Sequence, residues 1–169
     1  MKLKKLTILL LILVLGVALP LSGCSVGGGG ETGKAKATVD SFIKALRELD
    51  HKSMVNLVAK GVDMGDEKGF DPNSKETQLL KEALKRMKCT YKSGEVAKDA
   101  KEVTFKYEVE AINAMLIGLA ALGGNQKVSD MPLTKSEVEV KLVQEGDSWK
   151  ILNPQDVAVA ATGMGDLVD

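Results

Sequence analysis

An alternating run in the middle of the chain constrains the fold more than any other feature. Its apolar positions are separated by charged or polar residues throughout, and they are Val103, Phe105, Tyr107 and Val109. A period of two predicts a strand with one buried and one solvated face, as in antiparallel sheets. Residues 137–142 repeat the pattern, and the turn at 145–147 leads into a strand that contains Trp149. The sequence therefore predicts an antiparallel sheet closed by a hairpin.

Helical spacing precedes these strands. Between Lys34 and Asp50 the apolar residues follow a period near 3.6 and predict a first helix, with Val39, Phe42, Ile43, Leu46 and Leu49 on one face. Asp50 is a typical N-cap for a short second helix. Pro72-Asn73 followed by Glu76 resembles a capping box for a third helix. Helices followed by antiparallel strands predict an α+β domain with the helices on one face of the sheet.

The N-terminus has the pattern of a signal peptide. A basic start, Lys2 to Lys5, precedes the apolar run Leu6–Leu19, which is shorter than the roughly 18 residues that a bilayer-spanning helix needs. The next residues, Leu21-Ser22-Gly23-Cys24, resemble the bacterial lipobox. That resemblance implies cleavage after Gly23, a diacylglyceryl group with fatty acids such as palmitate on Cys24, and a lipid bilayer as partner. It implies a lipoprotein on the extracytoplasmic face of a bacterial cell membrane.

Composition divides the chain and limits its chemistry. We predict a signal peptide at 1–23, a lipidated Cys24 with a Gly-rich tether at 24–33, an α+β domain at 34–155 and a mostly irregular tail at 156–169. Equal numbers of basic and acidic residues, 23 of each, disfavour a nucleic-acid-binding protein. One His and two Cys are too few for a zinc cluster, so we predict neither metal nor cofactor. With Cys24 acylated, Cys89 has no partner for a disulfide within the chain.

Two segments resemble a known superfamily. The opening helix V-D-S-F-I-K-A-L-R-E-L-D, residues 39–50, and the late strand G-D-S-W-K-I, residues 146–151, are similar to those of nuclear transport factor 2-like, cystatin-like domains in bacterial lipoproteins. The resemblance covers about residues 35–153. It implies a curved sheet wrapped on helices, which forms a cone whose mouth accepts an apolar small molecule. Some relatives are isomerases or dehydratases with an acid or His in the cone, and many are binding or dimerising modules.

The segment Ala111–Leu122 is apolar nearly all round and ends at Gly123-Gly124. A helix of this kind must be buried or must lie against a partner or lipid. We therefore consider two interpretations, a core or lid helix over the sheet and a docking surface.

Few residues are suited to catalysis. We interpret His51 and Asp40 as solvated polar residues and Tyr91, Tyr107 and Trp149 as core. The sequence thus predicts a non-enzymatic module that binds an apolar ligand or a protein partner. The alternatives are a small isomerase or dehydratase that uses an acid or Tyr in the cone, and a homodimer through the open sheet face. The candidate contact residues are Phe42, Tyr91, Phe105, Tyr107, Ile112, Met115, Leu116, Leu119 and Trp149.

Overall fold

The computed structural model describes residues 30–64, 71–123 and 126–165. Its described residues form helices and one four-stranded antiparallel sheet with the strand order β1-β2-β3-β4. The predicted α+β class is confirmed at this coarse level. In chain order the elements are α1 (Glu31–Glu48), α2 (His51–Leu57), α3 (Lys75–Arg86), β1 (Lys88–Ser93), β2 (Glu102–Ile112), α4 (Ala114–Ala121), a 3₁₀ turn (Val128–Asp130), β3 (Leu133–Glu145), β4 (Ser148–Ile151) and α5 (Pro154–Ala161).

Helix α1 begins at Glu31, a little before the predicted start at Lys34. Side chains of its first turn form hydrogen bonds with β4 and with the loop between β1 and β2. The Glu31 carboxylate accepts a hydrogen bond from the Trp149 indole N–H at 2.9 Å, and the Thr32 hydroxyl accepts one from the Val96 backbone N–H at 3.0 Å. Hydrogen bonds from Lys34 and Trp149 lower the pKa of Glu31. The N-terminal end of the described chain is therefore fixed beside β4.

Side-chain caps begin the next two helices. Asp50 caps α2 as predicted, since its carboxylate accepts a hydrogen bond from the Ser53 backbone N–H at 3.1 Å. The cap of α3 was predicted one residue too early. Ser74, not Asn73, is the N-cap, because its hydroxyl accepts from the Thr77 backbone N–H at 3.1 Å.

The alternating residues of the strands bury one face of the sheet, as predicted. Tyr107 of β2 lies between Tyr91 of β1 and Val138 of β3, so all three side chains share the inner face. Helices α1 and α2 cover that face. We call this cluster the main core; its large, fully buried members include Phe42, Val39, Phe105, Val109, Val140, Leu142 and Ile151.

The opposite face of the sheet is charged. Lys92 pairs with Glu108 at 3.0 Å, and Lys135 pairs with Glu110 at 3.1 Å. These lysines lower the pKa values of the two glutamates by hydrogen bonding and charge. Burying this face in a homodimer would take such pairs out of water, which is costly.

The tail predicted to be mostly irregular, 156–169, is wrong over residues 156–161, which belong to helix α5 (Pro154–Ala161). Strand β4 is short, so part of the β3 edge is left without a strand neighbour. Asn153 continues the pairing there: its side-chain oxygen accepts from the Lys141 N–H at 2.8 Å, and its amide donates to the Glu139 carbonyl at 2.7 Å. Helix α5 then packs against β2 and β3.

The apolar segment Ala111–Leu122 is only partly helical. Ala111 and Ile112 complete β2, and Asn113 caps α4 by accepting a hydrogen bond from the Met115 N–H at 2.9 Å. Helix α4 packs on α3 through a second apolar cluster, the satellite core. Its buried members are Ala83, Ile112, Ile117, Ala120, Val128 and Met131.

Candidate functional site

A group of polar side chains lies between α1 and strands β1 and β2. We call it the inner polar cluster, and its members are Asp40, Arg47, Cys89, Tyr91 and Tyr107. The period of two in the strands turns Cys89, Tyr91 and Tyr107 toward α1, where Tyr91 and Tyr107 are direct cross-strand partners. Their rings meet edge to face with centroids 5.6 Å apart. Helix α1 contributes the carboxyl group of Asp40 and the guanidinium group of Arg47.

The Tyr107 hydroxyl is the most unusual group of the cluster. The side chain is 2% exposed, and its hydroxyl oxygen has no hydrogen-bond partner among the described residues. Burial, and after it the charge of Asp40, raises the pKa of Tyr107, so the hydroxyl keeps its proton. An unpaired buried hydroxyl costs about 1–3 kcal/mol. The cluster therefore contains an unused hydrogen-bond donor.

Asp40 faces the cluster from α1. Its side chain is exposed, yet partial desolvation raises the pKa of the carboxyl, while Lys36 acts in the opposite direction. The Lys36 ammonium lies 3.8 Å from the centroid of the Tyr91 ring, and the Tyr91 hydroxyl donates to the Gly94 carbonyl. Lys36 and Tyr91 thus cover the outer side of the cluster.

Cys89 and Arg47 lie at the other end of the cluster. Burial raises the pKa of the Cys89 thiol to about 11, which keeps it protonated and weakly nucleophilic at neutral pH. The Arg47 guanidinium donates to the Met87 carbonyl at 2.9 Å, whereas its Nε has no hydrogen-bond partner among the described residues. No sequence pattern points to Arg47, because its burial depends on how α1 meets the end of α3.

A second region of interest lies on α4. Three side chains at helical spacing point away from the satellite core, and we call them the α4 stripe: Met115 is 67% exposed, Leu119 62% and Leu122 88%. A groove of about 450 Å³ lies between α3, α4 and the 3₁₀ turn, with Lys75, Glu82, Ala120, Lys127 and Val128 in its lining, and none of the three stripe residues lines it. The helix is therefore half core and half exposed apolar surface.

The candidate contact residues from the sequence fall in separate places. Phe42, Phe105, Tyr107 and Trp149 are in the main core, with Tyr91 at its edge. Ile112 is in the satellite core, Leu116 packs beside it, and Met115 and Leu119 are exposed. The structure thus brings Tyr91, Phe105 and Tyr107 together and separates them from the α4 residues. Cys24 lies outside the described residues.

Metal sites and membrane-spanning helices are both absent from the described part of the chain. No group of three or more His, Cys, Asp or Glu side chains lies close enough there to hold a metal ion. Within the same residues, no helix has the length and apolar character needed to cross a bilayer.

Comparisons with known proteins add little. No family model matches the chain, and the search of curated proteins found no match. Among solved structures, the chain is similar to one from Shewanella frigidimarina described as "a putative ketosteroid isomerase", with 16% identity and a TM-score of 0.42, over 70% of this chain and 90% of that chain.

One prediction is corrected by this comparison. We predicted a non-enzymatic protein, and that prediction was wrong as stated, because a solved structure similar to this chain is described as "a putative ketosteroid isomerase". An identity of 16% and a TM-score of 0.42 do not establish an activity for this chain.

Proposed function

We propose that the protein is a bacterial lipoprotein, held on the extracytoplasmic face of a membrane by acylated Cys24, whose domain binds a small, mostly apolar molecule at the inner polar cluster. The observation that carries the ligand site is the buried hydroxyl of Tyr107, which has no hydrogen-bond partner among the described residues. The anchor rests on the lipobox resemblance of Leu21-Ser22-Gly23-Cys24. A ligand oxygen that accepts its hydrogen bond would remove the cost of that unpaired donor. The surrounding Phe105 ring and Val138 supply apolar contacts.

The chemistry of the ligand follows from the state of Tyr107. Since burial raises the pKa of this hydroxyl, it acts as a donor, and the ligand must present an acceptor such as a carbonyl or ether oxygen. None of the three described grooves is lined by Tyr107. Entry therefore requires movement of Tyr91 and Lys36, the two side chains that cover the cluster.

Proton transfer is a second candidate for the same cluster, as in a small isomerase or dehydratase. It is favoured by the raised pKa of Asp40, which makes the carboxylate a stronger base, next to a Tyr that stays protonated. In that case Asp40 would take a proton from a ligand carbon while the Tyr107 hydroxyl stabilises the resulting oxyanion.

The test is native mass spectrometry of the full chain, extracted from its own membranes in mild detergent. We expect a diacylglyceryl mass on Cys24 and a retained small molecule. Tyr107→Phe should lose the small molecule while it stabilises the empty protein by about 1 kcal/mol, because the unpaired hydroxyl is gone. Ser136→Ala is the matched control: it also removes a buried hydroxyl that has no described partner, but outside the cluster.

The outcomes separate the parts of the proposal. Loss of the small molecule in both variants, or its absence from the wild type, would contradict the ligand site. An unmodified Cys24 would contradict the membrane anchor. Transfer to deuterated water separates binding from proton transfer: deuterium on carbon in the ligand with wild type, and none with Asp40→Asn, would establish the enzyme.

A further inference from the structure

We propose that the α4 stripe docks a second protein, with an apolar groove and an acidic rim, on the side of the domain that faces away from the anchoring membrane. This inference rests on the proposed acylation of Cys24. It concerns a different surface from the inner polar cluster. Together, Met115, Leu119 and Leu122 expose on the order of 400 Å² of apolar surface. Patches of this size, when they are the largest on a monomer, are often functional.

The two ends of β2 place the stripe far from the anchor. Glu31 and Thr32, at the start of α1, are bonded to β4 and to the loop before β2, whereas α4 follows the other end of β2. That strand spans Glu102–Ile112, which at ~3.3 Å per residue is roughly 33 Å. The N-terminal end of the described chain and the α4 stripe are therefore at opposite ends of the sheet.

The tether is too short to reverse this arrangement. From Cys24 to Gly30 the chain can extend at most about 20 Å. With α4 pointing down onto the bilayer, Gly30 would stand about 30 Å above it, beyond that reach. An upright domain thus presents the stripe to whatever lies outside the anchoring membrane. Only a domain lying on its side would bring α4 to the lipid.

The size of the stripe argues against a second copy of this chain. Two stripes packed together would bury on the order of 800 Å² in total, whereas specific stable interfaces bury about 1,200–2,000 Å². A larger partner with a concave surface would enclose the stripe and extend to the groove between α3 and α4. Two lysines line that groove against the single carboxylate of Glu82: Lys127, and Lys75, whose ammonium also donates to the Ala120 and Ala121 carbonyls. This positive balance favours an acidic rim on the partner.

The first experiment uses the full chain in intact cells, with a photoreactive amino acid at Leu119. The matched control places it at Val55, which is 44% exposed on α2 and outside the stripe. We expect one conjugate with a different protein from position 119 and none from position 55. Adding Leu122→Glu should reduce the yield of that conjugate at least tenfold, since it would place a carboxylate in the apolar groove of the partner protein.

Three results of the crosslinking experiment would overturn the docking proposal. A conjugate with twice the mass of this chain would identify a second copy, a lipid adduct would identify the membrane, and no conjugate would leave the stripe without an occupant. Acylation of Cys24 is measured separately by mass spectrometry. A chain without acyl groups that still forms the conjugate would remove the anchor argument while keeping the docking surface.

A second measurement tests the orientation alone. A fluorophore on Leu119→Cys, in acylated chain reconstituted into phosphatidylethanolamine and phosphatidylglycerol vesicles, should be quenched by aqueous iodide and not by nitroxide-labelled lipids. The raised pKa of Cys89 keeps that thiol from competing for the label. Quenching by the labelled lipids would show that α4 lies on the bilayer and would overturn the proposal.

Discussion

The two apolar cores of this protein differ in how completely they are enclosed. In the main core, Phe42 and Phe105 are fully buried between α1 and the sheet, because helices cover that face from one side and strands from the other. The satellite core has α3 on one side of α4 and nothing described on the other, so the stripe at Met115, Leu119 and Leu122 stays exposed. This difference indicates that the main core stabilises the fold, whereas α4 combines a smaller packing role with an available surface.

The largest effect is expected in the main core. Phe42→Ala should reduce the free energy of unfolding by about 3–5 kcal/mol, since it removes a fully buried ring and leaves a cavity between α1 and the sheet. Urea unfolding followed by Trp149 fluorescence measures it. If Phe42→Ala lost no more stability than Ile117→Ala in the satellite core, the main core would not be the more important of the two for stability.

The corresponding change in the satellite core should cost less. Ile117→Ala is expected to lower stability by about 2 kcal/mol, because Ile117 is 7% exposed and its neighbours can close part of the space from one open side. The same urea titration gives the value. Hydrogen exchange should show faster opening of α4 in this variant, with little change in β2 and β3.

The contact between the end of α5 and the start of α4 should show an effect similar in size to that of Ile117→Ala. Gly163 has φ 65° and an added Cβ would lie 2.8 Å from the Asn113 backbone nitrogen. Gly146 has nearly the same φ, 60°, with open space around it. Gly146→Ala should cost about 1 kcal/mol from backbone strain alone. Gly163→Ala should cost roughly 1–2 kcal/mol more, since it must also push the two segments apart.

The smallest effect on stability is expected at the stripe. Leu119→Lys should change the free energy of unfolding by no more than about 0.5 kcal/mol, because the side chain is 62% exposed. Thermal unfolding of the two proteins side by side measures the difference. A loss near that of Ile117→Ala would mean that the stripe is part of the core and not a surface.

Local patterns predicted most of the helices and strands. The alternation at Val103, Phe105 and Tyr107 defines the inner face of β2, and the spacing of Val39, Phe42 and Leu46 defines the buried side of α1. Helix α5 was missed because its buried residues, Val157, Ala160 and Ala161, are small and lie close to Gly163, which favoured an irregular tail. The helix packs against β3 and β2. This packing depends on the short length of β4, which the sequence pattern did not show.

The candidate sites depended more strongly on tertiary structure. The sequence placed Tyr91 and Tyr107 on the inner face, but the unpaired state of the Tyr107 hydroxyl depends on what α1 brings opposite it. Likewise, the apolar character of residues 111–122 predicted a helix and left two interpretations of it, a core or lid helix over the sheet and a docking surface. Local periodicity determines which way a side chain points from its own element. Only the packing of distant elements determines what it meets there, since Asp40, Arg47 and Tyr107 come from helix and strand segments far apart in the chain.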